Sequence, residues 1–131
     1  MICARIESLI LEQGMEDALA RAYAFTHAGA DAIMIHSRKK DPSEIFEFVE
    51  KFRAKDALTP IVVVPTSFNS VTEEEFKARG VNVIIYANQL TRTGFPAMQN
   101  AARTILEHHR AKECDEMCMP IQNIITLIPE E

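Results

Sequence analysis

The chain has 131 residues, a formal net charge of −5, 47% hydrophobic residues and 25% charged residues. That length allows one domain with a real core, roughly two-thirds of the unfolded surface being buried at this size, and the composition is that of a folded globular protein. No apolar run approaches the ~20 residues of a membrane span, and the acidic balance argues against nucleic acid as a partner.

The elements alternate along the chain. "ICARIE" (2–7) reads as a strand. "MEDALARAYAFTHA" (15–28) carries Ala18, Ala22 and Phe25 at helical spacing, with Gly29 where a helix stop belongs. "AIMI" (32–35) is the next strand, and its apolar run predicts burial on both faces. "DPSEIFEFVEKFRAKD" (41–56) is a helix with Ile45, Phe48, Val49 and Phe52 in one stripe. Asp41 can cap it, Pro42 fits the first turn, and Glu44 completes a capping-box pattern. "PIVVVPT" (60–66) is a third strand. "TEEEFKAR" (72–79) is a short helix, with a second capping box in Thr72 and Glu75 and a stop at Gly80. "VNVIIYAN" (81–88) reads as a fourth strand, and "FPAMQNAARTILEHHRAK" (95–112) as a long helix with Met98, Ala101, Ala102, Ile105 and His109 on one face. "PIQNIITLI" (120–128) is a short amphipathic tail helix, expected to dock on something. Met34, Phe48 and Ile84 are expected in the core.

Four βα units in succession imply a parallel α/β sheet with right-handed crossovers. No linker or low-complexity stretch divides the chain, so 1–131 reads as a single domain. The three cysteines, Cys3, Cys114 and Cys118, are an odd count with no visible secretory leader, which favours reduced thiols in the cytoplasm. His108, His109, Cys114 and Cys118 have spacings seen in zinc sites but lack a second ligand pair, and a solvated helix end explains them better.

Each strand ends in polar residues: Arg5 and Glu7, His36 and Ser37, Thr66 and Ser67, Asn88 and Gln89. Ligands of parallel α/β folds bind at the carboxyl ends of strands. Arg5 offers a planar fork for phosphate or carboxylate, His36 a donor whose charge adjusts near neutral pH, and Arg38, Lys39 and Lys40 add positive potential. This pattern points to a small anion. Blander roles stand beside these. Arg5 pairing with Glu7 or a helix carboxylate, and His36 as a hydrogen-bonded packing residue, are the lesser readings of those two. Arg38–Lys40 suit solvent, Thr66 suits a turn after Pro65, and Asn88 suits a helix cap or a turn.

"CARIES", "GADAIMIHSRKKDP", "PIVVVPTS" and "GVNVIIYANQLTR" resemble the C-terminal half of the phosphoenolpyruvate mutase family, within the isocitrate lyase superfamily. The arginine of "ARIE" and the histidine of "MIHS" stand 31 residues apart (36 minus 5), as in the family pattern. The superfamily's carbon–carbon lyases carry endings closer to "ARTD", so the likeness is to the mutase arm, which includes phosphonopyruvate hydrolases. The resemblance implies strands five to eight of a (β/α)8 TIM barrel, often oligomeric. It implies interconversion of phosphoenolpyruvate and phosphonopyruvate, the carbon–phosphorus bond-forming entry to phosphonate biosynthesis. It implies Arg5 and His36 as the catalytic pair holding the migrating phosphoryl group. From their places at the strand ends, Ser37, Thr66 and Asn88 are expected as further substrate-binding residues, and from its adjacency on the strand Glu7 is expected to orient Arg5. Mg2+ is implied as cofactor, with no ligand in this chain, because the family's metal carboxylates lie on strands one to four.

The expected reading is therefore the phosphoryl-binding half of a mutase-like isomerase, inactive alone, that oligomerises or associates with an N-terminal half-barrel. Its substrate is a small anion, with neither nucleic acid nor membrane involved. The alternatives are a phosphonopyruvate hydrolase, a non-catalytic half-barrel binding or assembly module, or a truncated remnant. A flavodoxin-like signalling domain fits poorly, since its strand ends would carry an acidic cluster where this chain has Arg5 and His36.

Overall fold

The apolar runs form a parallel sheet of four strands in the order β1-β2-β3-β4, in a computed structural model that describes residues 1–128. The strands are β1 (Cys3–Ile6), β2 (Ala32–Ile35), β3 (Ile61–Val63) and β4 (Val83–Ile84). Between them run α1 (Gly14–His27), α2 (Ser43–Arg53) and α3 (Glu73–Ala78). After β4 come α4 (Gln89–His108), a 3-10 turn over Lys112–Cys114, and α5 (Ile121–Ile125). Two compact units result, Met1–Ala87 and Asn88 onward.

In the first unit the register is Arg5 opposite Met34, Met34 opposite Val62, and Val62 opposite Val83. Because side chains alternate along a strand, Ala4, Ile6, Ile33, Ile35, Ile61, Val63 and Ile84 share the face that meets the helices. There they join Ala18, Ala22, Ile45, Phe48, Val49, Phe52, Phe68 and Phe76 in one core. The α2 stripe of Ile45, Phe48, Val49 and Phe52 is wholly buried, with Phe52 stacked on Tyr23 at 5.3 Å and on Phe48 at 5.8 Å. The opposite face carries Arg5, Met34, Val62 and Val83. It is covered only in part, Met34 being half-buried and Val83 45% exposed. Burial of β2 on both faces and a core position for Met34 therefore do not hold in full, and Ile84 is likewise only partly buried.

Three local expectations change. The α2 capping box does not form: Asp41 accepts the Ser43 N–H at 2.8 Å, but Glu44 turns towards the preceding loop. β4 is shorter than 81–88 because only β3 pairs with it. Asn82 donates to Ile61 at 3.0 Å and Ile85 to Val63 at 2.9 Å, and beyond Pro65 β3 offers no further partner. The long helix starts at Gln89 rather than 95 and takes Pro96 into its body, where the ring leaves one carbonyl of the preceding turn without its usual donor. It stops at His109, whose φ is 53°, short of the expected 112. The Thr72–Glu75 box forms in both directions: the Thr72 hydroxyl accepts the Glu75 N–H at 3.2 Å, and the Glu75 carboxylate accepts the Thr72 N–H at 2.8 Å. Neither α4 nor α5 buries a residue, so the apolar side chains Ile121, Ile124 and Ile125 of the tail helix stay exposed.

Candidate functional site

Arg5 is the last outward residue of β1 before Ile6, and His36 follows β2 directly. Arg5 sits opposite Met34, so His36, two residues on, is its diagonal neighbour on the same face of the sheet. Both side chains thus stand at the carboxyl ends of adjacent parallel strands, about 5 Å apart in the pairing direction.

Arg5 is exposed, and its Nε donates to Glu7 Oε1. The pairing of Arg5 with Glu7 that the sequence left open is thus present. It occupies one corner of the guanidinium, and the two terminal amino groups have no hydrogen-bond partner among the described residues. His36 is half-buried, and its Nδ1 is buried without a partner among the described residues. A buried polar atom without a partner is uncommon in folded proteins and calls for a physical reason. Burial holds the His36 imidazole below its ordinary pKa. The Arg5 guanidinium pushes the same way, as does Arg38, while Glu7 opposes them. The neutral imidazole, one nitrogen donating and the other accepting, is therefore favoured.

The other expected site residues are placed differently. Ser37 is 2% exposed and its hydroxyl donates to Glu44. Thr66 is half-buried, and its backbone N–H closes a tight turn on the Val64 carbonyl at 2.8 Å, as its turn role anticipated. Asn88 belongs to the second unit. It precedes α4 without making a side-chain cap bond, and its Oδ1 is buried and unpaired among the described residues. Of the cationic loop, Arg38, Lys39 and Lys40 are all exposed, and Lys39 pairs with Glu44. Glu44 was missed as a residue of this region: its distance from Asp41 reads as a cap, and only the folded loop brings it to Ser37.

Among the described residues no three His, Cys, Asp or Glu side chains cluster closely enough to hold a metal ion. Cys114 is buried with its thiol 3.6 Å from the Ala101 carbonyl, Cys118 is exposed, and His108 Nδ1 lies 3.0 Å from the Thr104 carbonyl. What the first unit offers is a guanidinium with two open amino groups beside an unpaired imidazole. That arrangement can hold a small oxyanion.

A parallel sheet with helices at its back and such residues at its strand ends is a four-strand portion of an α/β barrel. The sequence model of phosphoenolpyruvate phosphomutase matches residues 1–106. The chain is 35% identical to the phosphoenolpyruvate phosphomutase of Tetrahymena pyriformis, over 99% of this chain and 42% of that protein. It is 36% identical to the phosphonopyruvate hydrolase of Variovorax sp. (strain Pal2), over 100% of this chain and 44% of that one. Among solved structures, phosphoenolpyruvate phosphomutase from Streptomyces platensis subsp. rosaceus superposes with a TM-score of 0.87 at 32% identity, covering 95% of this chain and 42% of that chain. A phosphonopyruvate hydrolase complexed with oxalate and Mg2+ superposes with a TM-score of 0.84 at 36% identity, covering 95% and 44%. The chain belongs to the phosphoenolpyruvate phosphomutase family, and it spans about 42% of the length of the mutase relatives it matches.

Proposed function

We propose that this chain carries the phosphoryl-binding side of a phosphoenolpyruvate mutase-like enzyme and works only within a larger assembly. The observation that supports this most is the placement of Arg5 and His36 on one face, at adjacent strand ends, with His36 Nδ1 buried and unpaired. Phosphoenolpyruvate and phosphonopyruvate are isomers. One phosphorus–oxygen bond breaks and one carbon–phosphorus bond forms, so no co-reactant is consumed. A loose, metaphosphate-like transfer asks the protein for positioning and charge neutralisation.

In this reading the open amino groups of Arg5 take two phosphoryl oxygens, while Glu7, bonded to Nε, keeps the fork in plane. His36 donates to a third oxygen. The approaching anion favours imidazolium, so the neutral ring takes up a proton as the phosphoryl group arrives. Thr66, half-buried in the turn after β3, is proposed as a further substrate contact. Mg2+ accompanies oxalate in the hydrolase neighbour. The described residues do not fit it, because Glu7 is paired with Arg5 and no metal-holding cluster is present among them. Metal and enolate would be held by residues from outside this chain. The free thiols of Cys3, Cys114 and Cys118 suit a cytoplasmic protein in this role.

A second reading, phosphonopyruvate hydrolase, is favoured by the 36% identity to the Variovorax enzyme, level with the mutase matches. The same site would then deliver the phosphoryl group to water. Assembly is proposed because Val83 and Tyr86, on and beside the outermost strand, are 45% and 57% exposed. The partner would be another copy or a half carrying strands one to four.

The test combines light scattering with 31P NMR of phosphonopyruvate, on the chain alone and with a separately expressed strand one-to-four half. A heterocomplex that gains Mg2+-dependent conversion to phosphoenolpyruvate supports the mutase, and release of phosphate instead supports the hydrolase. Turnover by the chain alone overturns the proposed dependence on an assembly.

A further inference from the structure

The loop after His36 is braced by a residue that the sequence offers as a helix cap. Glu44, in the first turn of α2, accepts the Ser37 hydroxyl on Oε1 and pairs with the Lys39 ammonium through Oε2. The Ser37 oxygen in turn accepts the Lys39 backbone N–H at 3.0 Å. Ser37 is 2% exposed and the Glu44 side chain 13% exposed, so water competes little for the bond between them, whereas the 67% exposed Lys39 side chain leaves its ion pair open to water. The loop from Ser37 to Lys39 is thereby tied to the helix at two points.

His36 is the residue immediately before this brace, and no protein group holds its Nδ1 among the described residues. No hydrogen bond to Nδ1 from the described residues orients the imidazole, so its direction rests on the packing around it and on the backbone from which it hangs. That backbone enters the braced loop one residue later.

We propose that Glu44 is a positioning residue for the anion site: by holding Ser37 and Lys39 it fixes the His36 imidazole beside Arg5. This deepens the reading of Arg5 and His36 as a phosphoryl site and rests on it. Glu44 itself touches no substrate. It removes freedom from the loop before the anion arrives, so less is lost on binding.

The test follows the His36 imidazole by NMR, assigned by comparison with His36→Gln, while inorganic phosphate is added to the 131-residue chain. The wild type is expected to show a saturable shift. Glu44→Gln keeps the shape and removes the charge, and phosphate should then bind on the order of three- to tenfold more weakly, the worth of about one hydrogen bond. Ser37→Ala cuts the same brace from the other side and should give a similar loss. Because the brace acts as a unit, the double variant should lose no more than the worse single one, whereas independent structural damage would add.

Glu44→Gln binding phosphate within twofold of wild type, or losses that simply add, overturns the positioning role. Should Glu44→Gln fail to fold, Ser37→Ala decides alone, and unchanged binding in it overturns the proposal. A wild type with no saturable shift at His36 overturns the anion site itself and this role with it. That failure is told apart because it appears before any variant is made.

Discussion

Arg53, the last residue of α2, ties the far end of the sheet together. Its Nε and Nη2 donate to the Gly80 carbonyl at 3.0 and 2.8 Å, and Nη2 also reaches Asn82 Oδ1 at 2.7 Å. Its Nη1 donates to the carbonyls of Asp56 and Thr59 at 2.9 and 2.8 Å. One planar fork thus joins the end of α2, the loop into β3 and the turn into β4. Gly80, with φ at +91°, brings its backbone so close that an added Cβ would stand 3.0 Å from Arg53 Nε. Arg53→Met keeps the apolar stem and removes all these donors. At about 0.5–1.5 kcal/mol net per hydrogen bond the sum would reach several kcal/mol. Water reaches part of this half-buried group, and removing the charge relieves its desolvation. A loss of about 2–4 kcal/mol is therefore expected. With a urea m-value of about 1–3 kcal/mol/M for a small protein, the midpoint followed by circular dichroism should fall by about 2 M. Arg53→Lys keeps the charge without the fork and should fall between. This end of the sheet is remote from His36, so sulfate affinity of the folded Arg53→Met chain should stay within twofold of wild type. A stability loss below about 1 kcal/mol with an unchanged m-value would refute the argument.

Arg5→Met removes the charge-assisted donors at the strand end and should weaken sulfate binding by about tenfold or more by calorimetry. A change under twofold would count against the site. The lowered pKa of His36 also has a sign. Its neutral form is favoured in the folded chain, so this contribution to stability is full above the ordinary imidazole value, about 6.5, and is lost as pH falls towards the folded value. Sulfate, which does not titrate here, should reverse the shift and bind with net proton uptake near pH 6.5. Calorimetry in two buffers of different ionisation enthalpy reads that uptake, and none in wild type would contradict the placement of the anion. Thr72→Ala deletes half of the α3 capping box and should cost about 1 kcal/mol in thermal melts. Equal melting of variant and wild type would show that the box contributes nothing.

The parts of the fold legible in the sequence are those with a short-range cause. The run "AIMI" gives β2 at its observed bounds, the α2 stripe repeats every three or four residues, and Thr72 with Glu75 forms its cap within one turn. What escaped depends on residues far apart in the chain. β4 ends where β3 stops offering carbonyls, and no feature of "VNVIIYAN" records that. Glu44 has a cap's spacing from Asp41, and only the returning loop gives it Ser37 instead. Arg53 reads as one more cation at a helix end, although its partners lie up to 29 residues away. The strand-end pair was legible because parallel topology converts sequence order into position: once β1 and β2 are adjacent and parallel, Arg5 and His36 must be neighbours.

The central claim is that Arg5 and His36 together receive the phosphoryl group. It is tested most directly by recording the His36 imidazole spectrum while phosphonopyruvate is added to the chain, without metal, in wild type and Arg5→Met. A saturable shift of His36 towards imidazolium is expected in wild type, with its loss in Arg5→Met. Saturable binding that leaves His36 unmoved, or that survives unchanged in Arg5→Met, would contradict it.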